Sequence, residues 1–341
     1  MKTKIAINGF GRIGRLFLRQ VLNNPQLEVV AINDLGDIEN LSYLLKYDSV
    51  YRAFEKDVKC EKENGIIRVD GKEIKFISEK DATKLPWKDL EIDIVIESTG
   101  VFESFEKAKV HIDAGAKRVV LTAPAKDEDG LGKTVLVGLN EGELKTCEIS
   151  SNASCTTNAV SPVIAVMAES IGIEKAVLNT VHAMTNTQTV VDSAVNGDDF
   201  RRGRSASQNI IPSTTGAAIA VTRAFKELEG KFDGFSMRVP VIAGSIADIT
   251  FVSKKKTSIE EVNRILKDAS ESDKWKGILK VVDEQIVSSD IIREPYGAIV
   301  DLKFTKVIDG DLVKILSWYD NEWGYVAMLI KHVLKITEIL E

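Results

Sequence analysis

Hydrophobic and polar positions follow two rhythms along this chain, and the change from one to the other divides it. In the first part, short β-branched runs take turns with helical periods: KIAIN, then RLFLRQVL, then EVVAIND, with DIVIEST and KRVVLTA further on. Strands that alternate with helices build a parallel sheet covered by helices. Between Asp57 and Ser78 the strands are interrupted by polar residues, as in GIIRVDGKEIKFIS, which predicts an antiparallel insertion instead of another strand–helix–strand unit. From residue 151 onward the strand candidates lengthen (KAVLNTVHA, FSMRVPV, ADITFVS, AIVDLKFT, LVKILSW) and helices become fewer. One helix is announced by KTSIEEVNRILKDA, where Thr257 and Glu260 have capping-box spacing and Val262, Ile265 and Leu266 share a face. The closing stretch NEWGYVAMLIKHVLKITEIL has helical periodicity as well. The expected fold class is α/β, with a Rossmann-type parallel sheet over residues 1–150 and an α+β domain with a mixed or antiparallel sheet over 151–318.

Length supports two cores, since 341 residues exceed what one hydrophobic core usually holds. With 44% hydrophobic and 28% charged residues the chain has no signature of disorder. A net charge of -6 and a pI near 5.4 leave no basic footprint for nucleic acid or an anionic membrane surface, although local basic clusters still suit small anions. The start, MKTKIAINGF, lacks the apolar core of a signal peptide, and no apolar run reaches the roughly 20 residues of a membrane span. A cytoplasmic protein with no membrane partner is therefore expected. Three irregularly spaced cysteines, Cys60, Cys147 and Cys155, suit neither a disulfide framework nor a zinc site, and no metal is expected.

Chemistry enters with GFGRIG at 9–14, which fits G-x-G-x-x-G directly after a strand and before a helix. Gly9 permits the tight turn, Gly11 lets backbone approach a pyrophosphate, and Gly14 lets helix pack on strand. The helix N-terminus offers free N–H groups to the phosphates. Asp34 stands at the end of the second strand, where a carboxylate accepts hydrogen bonds from an adenosine ribose and repels the 2′-phosphate of NADP. NAD is the expected cofactor. A second feature is SNASCTTNAV, with Cys155 just ahead of a helical pattern in which Val160, Val163, Ile164 and Met167 share a face and Pro162 falls near the first turn. A thiol at a helix N-terminus, or paired with a histidine such as His182 in TVHAMTN, is expected to have a lowered pKa. Read alone, Cys155 fits a small buried apolar residue as well as a nucleophile, and His182 fits a structural role as well as a partner.

Together, GFGRIGR, IND, ESTGVF, LTAPAKD, SNASCTTN, TVHAMTN, NIIPSTTGAA, MRVPV and WYDNEWGY occur in the order and spacing of the phosphorylating glyceraldehyde-3-phosphate dehydrogenases, and the resemblance covers essentially the whole chain. It implies that Cys155 is the nucleophile that adds to the aldehyde and His182 its base. It implies a hemithioacetal that gives up hydride and a thioester that inorganic phosphate cleaves, turning glyceraldehyde 3-phosphate into 1,3-bisphosphoglycerate. The resemblance also implies an NAD site built from Gly9, Phe10, Gly11, Arg12, Ile13, Asp34, Lys80, Ser98, Thr99, Gly100, Thr122 and Asn321, the last holding the nicotinamide carboxamide. Two anion sites follow: Thr185 and Arg238 for the substrate phosphate, and Ser154, Thr156, Arg202, Thr215 and Gly216 for the attacking phosphate. A homotetramer and a C-terminal helix, 319–341, that completes the first domain are implied too.

The chain departs from the family pattern in three places. YDSVYRAF lacks a His-Gly, Ala159 stands where a second cysteine is common, and VVDSAVNGDDFRRGR is longer than the usual loop, which in the family reaches a neighbouring subunit's coenzyme site. Two rival functions remain: an erythrose-4-phosphate dehydrogenase, and a catalytically silent NAD-binding regulator or RNA-associated scaffold. The intact STTGAA argues against the first, and the acidic pI with Cys155 and His182 retained against the second.

Overall fold

The computed structural model describes residues 2–127 and 130–340. The chain divides into two compact units, Met1–Ala153 with Leu329–Glu341, and Ser154–Met328.

In the first unit, β1 (Thr3–Asn8) is flanked by β2 (Leu27–Asn33) and β6 (Ile94–Glu97), all parallel. The helices α1 (Arg12–Val21), α2 (Ile38–Lys46) and α3 (Phe105–Asp113) alternate with the strands. The sheet continues through β7 (Arg118–Leu121) and β9 (Ile149–Ser151) to β8 (Gly132–Thr134), again parallel. Ile5, Ile7, Ile94, Val95, Ile96, Val119 and Val120 are all fully buried. Such unbroken apolar strands belong to a sheet covered on both faces.

The stretch read as an insertion is antiparallel, as expected, but it is part of the same sheet. β3 (Val58–Glu61) and β4 (Ile66–Val69) pair antiparallel, β4 pairs antiparallel with β5 (Lys72–Ile77), and β5 lies parallel beside β2. The edge of the parallel sheet has open N–H and C=O groups, and a hairpin satisfies them without another helix.

In the second unit a seven-stranded mixed sheet, counted over the described residues, has the order β11-β12-β10-β13-β16-β15-β14. Its strands are β10 (Ile173–Ala183), β11 (Ile211–Thr214), β12 (Phe232–Val239), β13 (Ser245–Ser253), β14 (Leu279–Val282), β15 (Ala298–Ile308) and β16 (Leu312–Tyr319). Buried and part-exposed residues alternate strictly along β13, the mark of a sheet covered on one face. The helices α4 (Cys155–Ser170), α5 (Ala217–Ala224) and α6 (Ile259–Glu271) cover that face, with α4 against β10, β13, β15 and β16. From Thr156 to Met167 every residue of α4 is buried, so this helix is enclosed all round and the expected one-sided stripe is not seen. Pro162 lies in its interior and not near the first turn, because the helix already begins at Cys155. The cap of α6 falls one residue later than its sequence suggests. Ser258 accepts from Glu261 N, while the Thr257 hydroxyl donates to the Glu261 carboxylate. The final helix, α7 (Trp323–Leu340), starts where Asp320 Oδ1 accepts from the N–H groups of Glu322 and Trp323. No helix among the described residues is long and apolar enough to cross a membrane.

Candidate active site

The glycine-rich turn of the first unit is forced by contact. Gly9 has φ +94°, and a Cβ on it would lie 2.6 Å from the Thr99 nitrogen; one on Gly14 would lie 2.3 Å from the Gly9 carbonyl oxygen. At Gly11 the space is open. Gly11 is also the N-cap of α1, with no side chain capping it and no acidic residue in the first turn, so the helix end is left for an anion. The turn opens on a cleft of about 420 Å³ whose walls include Gly9, Gly11, Asp34, Lys80, Ser98 and Thr99.

Asp34 has a structural duty in this cleft. Its Oδ2 accepts from Phe10 N (2.6 Å) and its Oδ1 from Gly36 N (2.8 Å), which ties the glycine turn to the end of β2. A carboxylate has about four acceptor positions, so capacity remains for a ribose. The uncapped helix end, the open space at Gly11 and this acceptor fit a dinucleotide.

Other residues expected at the cofactor are placed differently. Phe10 is fully buried, so only its backbone serves the turn. The Arg12 guanidinium pairs with Asp48 and lies over the Tyr51 ring. Burial pushes the Asp48 carboxyl up, but the Tyr51 N–H and the Arg12 charge outweigh it and hold the pKa below the usual range. The Thr122 hydroxyl donates to the Glu97 carbonyl at 3.0 Å, and Gly100 takes φ +71° on the surface. Ile13, like Phe10, Arg12, Gly100 and Thr122, is outside the cleft lining. Asn321 belongs to the second unit, where its Oδ1 accepts from Gly244 N and the Ser245 hydroxyl, both at 3.0 Å.

The second unit brings the cysteine and the histidine together. Along β10, Leu178, Thr180 and His182 point to the buried face, toward α4, whose first residue is Cys155. Cys155 Sγ is 3.4 Å from His182 Nε2. Ser154 N-caps the helix by accepting from Thr157 N, so the thiol sits on the first turn among N–H groups with no partner inside the helix. β12 runs parallel to β10 in a register that sets Arg238 beside His182, and Arg238 Nη1 is 2.6 Å from His182 Nδ1. The Tyr319 ring packs edge-on against the imidazole at 5.9 Å, its hydroxyl held by Thr156 (2.8 Å) and Thr180 (2.7 Å).

Burial reverses one expectation. It pushes the Cys155 thiol up, and the Arg238 charge and nearby N–H groups offset only part of that, against the lowering expected at a helix N-terminus. Burial, then the Arg238 charge, pushes His182 down to about 3, so the ring is neutral and its basicity is held down while Arg238 lies beside it. Burial also lowers Arg238, and the Arg202 charge pushes the same way. Two cations that feel each other suit a dianion between them.

The remaining anion residues are spread over several elements. The Thr185 hydroxyl bonds to Thr187 at 2.9 Å just beyond β10, and Arg202 makes a loose 3.6 Å pair with Asp199. Thr215 Oγ1 accepts from Ala217 N at 3.2 Å, and Gly216, with open space at its Cα, is the N-cap of α5. Thr156 is turned inward onto Tyr319, and its backbone N–H faces the Cys155 thiol. Sequence reasoning missed Tyr319 and the contact between Arg238 and His182; the signal for the latter is the parallel pairing of the TVHA and MRVPV strands.

Comparison with known proteins agrees across both units. Residues 3–105 match the family described as glyceraldehyde 3-phosphate dehydrogenase, NAD binding domain, and residues 154–321 match glyceraldehyde 3-phosphate dehydrogenase, C-terminal domain. The chain is similar to the glyceraldehyde-3-phosphate dehydrogenase of Thermotoga maritima, 53% identical over 94% of this chain and 95% of that protein. It is similar to those of Clostridium pasteurianum (45% identical; 96% and 97% covered) and Borreliella burgdorferi (47%; 98% and 100%).

Proposed function

This chain belongs to the glyceraldehyde-3-phosphate dehydrogenase family, and on that premise we propose that Cys155 and His182 carry out an oxidative phosphorylation of its aldehyde. The activity is the NAD-dependent oxidation of glyceraldehyde 3-phosphate, a glycolytic step. The observation that carries the reading is the Sγ to Nε2 distance of 3.4 Å at the first residue of α4.

The chemistry follows from what these groups can do. Neutral His182 takes the thiol proton at Nε2, and the sulfur of Cys155 adds to the aldehyde carbon. The backbone N–H groups at the start of α4 stabilise the oxyanion, as preorganised donors do. His182 returns that proton to the oxyanion, giving the hemithioacetal, and takes it up again as hydride leaves the same carbon. Gly9, Gly11, Asp34, Lys80, Ser98 and Thr99 would hold NAD, which would supply the acceptor for that hydride. Phosphate attacks the resulting thioester, the C–S bond breaks, and Cys155 leaves as thiolate and recovers a proton from His182. Arg238 and Thr185 hold the substrate phosphate; Arg202, Thr215, Gly216, Ser154 and the Thr156 backbone hold the attacking one.

A homotetramer in the cytoplasm completes the proposal. The face of the second unit's sheet turned away from α4 carries a cross-strand row of part-exposed apolar residues, Met237, Val181, Ile246 and Trp318, with Phe235 and Val177 beside it. Such a patch fits a second copy of the chain.

The test is Cys155→Ser. A serine hydroxyl is far less ionised than a thiol, so NADH formation should fall by about a thousandfold or more while NAD binding holds. Turnover close to wild type would remove Cys155 from the reaction.

A further inference from the structure

A buried run of polar side chains passes beneath the cleft of the first unit, and the reaction above does not use it. Glu97, the last residue of β6, is 3% exposed. Its Oε2 accepts from Asn8 Nδ2 at 2.6 Å and from His111 Nε2 at 3.0 Å; its Oε1 accepts from Thr99 N at 2.8 Å and from the Thr99 hydroxyl. His111, on α3, is fully enclosed and takes the indole N–H of Trp87 at Nδ1, 3.1 Å away. An indole nitrogen only donates, so Nδ1 is an acceptor and the proton of the neutral ring lies on Nε2, directed at Glu97.

The same reasoning orients the rest. With Nδ2 of Asn8 given to Glu97, its Oδ1 accepts from Asn33 Nδ2 at 2.7 Å. Asn33 also donates to the Glu79 carbonyl at 3.0 Å and accepts from Glu79 N at 2.9 Å. Asn8, Asn33, Glu79 and Thr99 all line the cleft, as does Phe102, whose ring meets His111 edge-on at 5.3 Å. A pair that served packing alone would be replaced at little cost by apolar residues of similar volume, since burying a carboxylate is costly. Apolar residues could not orient Asn8 and Thr99.

We propose that Glu97 and His111 are positioning residues for the dinucleotide: the imidazole fixes the carboxylate, and the carboxylate fixes the Asn8 and Thr99 side of the cleft. This rests on the reading of the cleft as the NAD site. It concerns affinity, because neither residue lines the cleft itself.

The experiment compares wild type with His111→Phe, His111→Gln and the isosteric Glu97→Gln. NAD binding is measured by calorimetry, backbone hydrogen exchange over residues 97–101 without NAD, and the rate of Cys155 alkylation. Removing one buried bond to a charged group should weaken NAD binding about tenfold in His111→Phe and Glu97→Gln. Exchange at Thr99 should quicken in both, and Cys155 alkylation should not change. His111→Gln, which keeps an N–H donor, should recover part of the affinity. Folded His111→Phe and Glu97→Gln proteins with wild-type affinity and unchanged exchange would overturn the proposal. Failure of wild type to bind NAD would strike down the reading of the cleft, and the exchange of the NAD-free proteins would still decide whether this pair holds its wall.

Discussion

Nδ1 of His182 has two claimants, the Arg238 guanidinium at 2.6 Å and the Ala183 carbonyl at 2.7 Å. Arginine only donates and a carbonyl only accepts, so the neutral ring satisfies one at a time. When Nδ1 bears the proton and gives it to Ala183, the Nε2 lone pair faces the thiol, which is the tautomer a base requires. A substrate phosphate that draws Arg238 toward itself favours this tautomer, because it removes the competing donor. Asp34 is likewise doubly engaged, and this decides how its selectivity should be probed. Asp34→Ala would free both the Phe10 and Gly36 N–H groups and disturb the turn, whereas Asp34→Asn keeps an acceptor for one of them and removes the charge. Like charges about 4 Å apart repel by roughly 1 kcal/mol in water and more when partly buried, so the ratio of NAD to NADP catalytic efficiency should fall about tenfold in Asp34→Asn. An unmoved ratio would show that Asp34 is not the selector.

Elements carry their own tests, and α7 offers one. His332 is fully buried, with Nε2 2.8 Å from the Ser150 hydroxyl on β9, and burial pushes its pKa down to about 4. The unfolded chain takes up a proton below about 6.5 while the folded one does not, so stability is complete above that value and is lost as pH falls toward about 4. The loss is about 1.4 kcal/mol per pH unit for one such group. In His332→Gln the urea midpoint should fall less steeply over this window than in wild type; parallel curves would mean that His332 does not titrate there. How much of these elements could be read in advance depends on how local their causes are. GFGRIG declared itself because the backbone leaves no room for a Cβ at Gly9 and Gly14. The cap of α6 was misplaced by one residue because Thr257 and Ser258 are both hydroxyl residues three positions ahead of a glutamate. The hairpin of β3 and β4 was legible as antiparallel, but its place at the sheet edge depends on a partner strand far away in sequence. Glu97 and His111 were silent, since each looks like an ordinary polar residue until strand pairing and α3 bring Asn8, Trp87 and Thr99 to them. The rise in the Cys155 pKa was hidden for the same reason: enclosure of α4 is a tertiary property.

At the scale of the molecule, the open apolar face of the second unit's sheet and the pairing of Cys155 with His182 set the terms. Equilibrium sedimentation should give a tetramer, and Phe235→Asp, a charge placed on that face, should yield smaller species; a monomeric wild type would refute the assignment of this face. The central claim, a covalent intermediate on Cys155 that phosphate releases, is tested most directly by following NADH after mixing the enzyme with NAD and glyceraldehyde 3-phosphate without phosphate. NADH should rise rapidly to about one per chain, nearly halt, and turn over steadily once phosphate is added, with no rise at all in Cys155→Ser. Steady turnover from the outset at the same rate with and without phosphate, or a rise of the same size in Cys155→Ser, would contradict it.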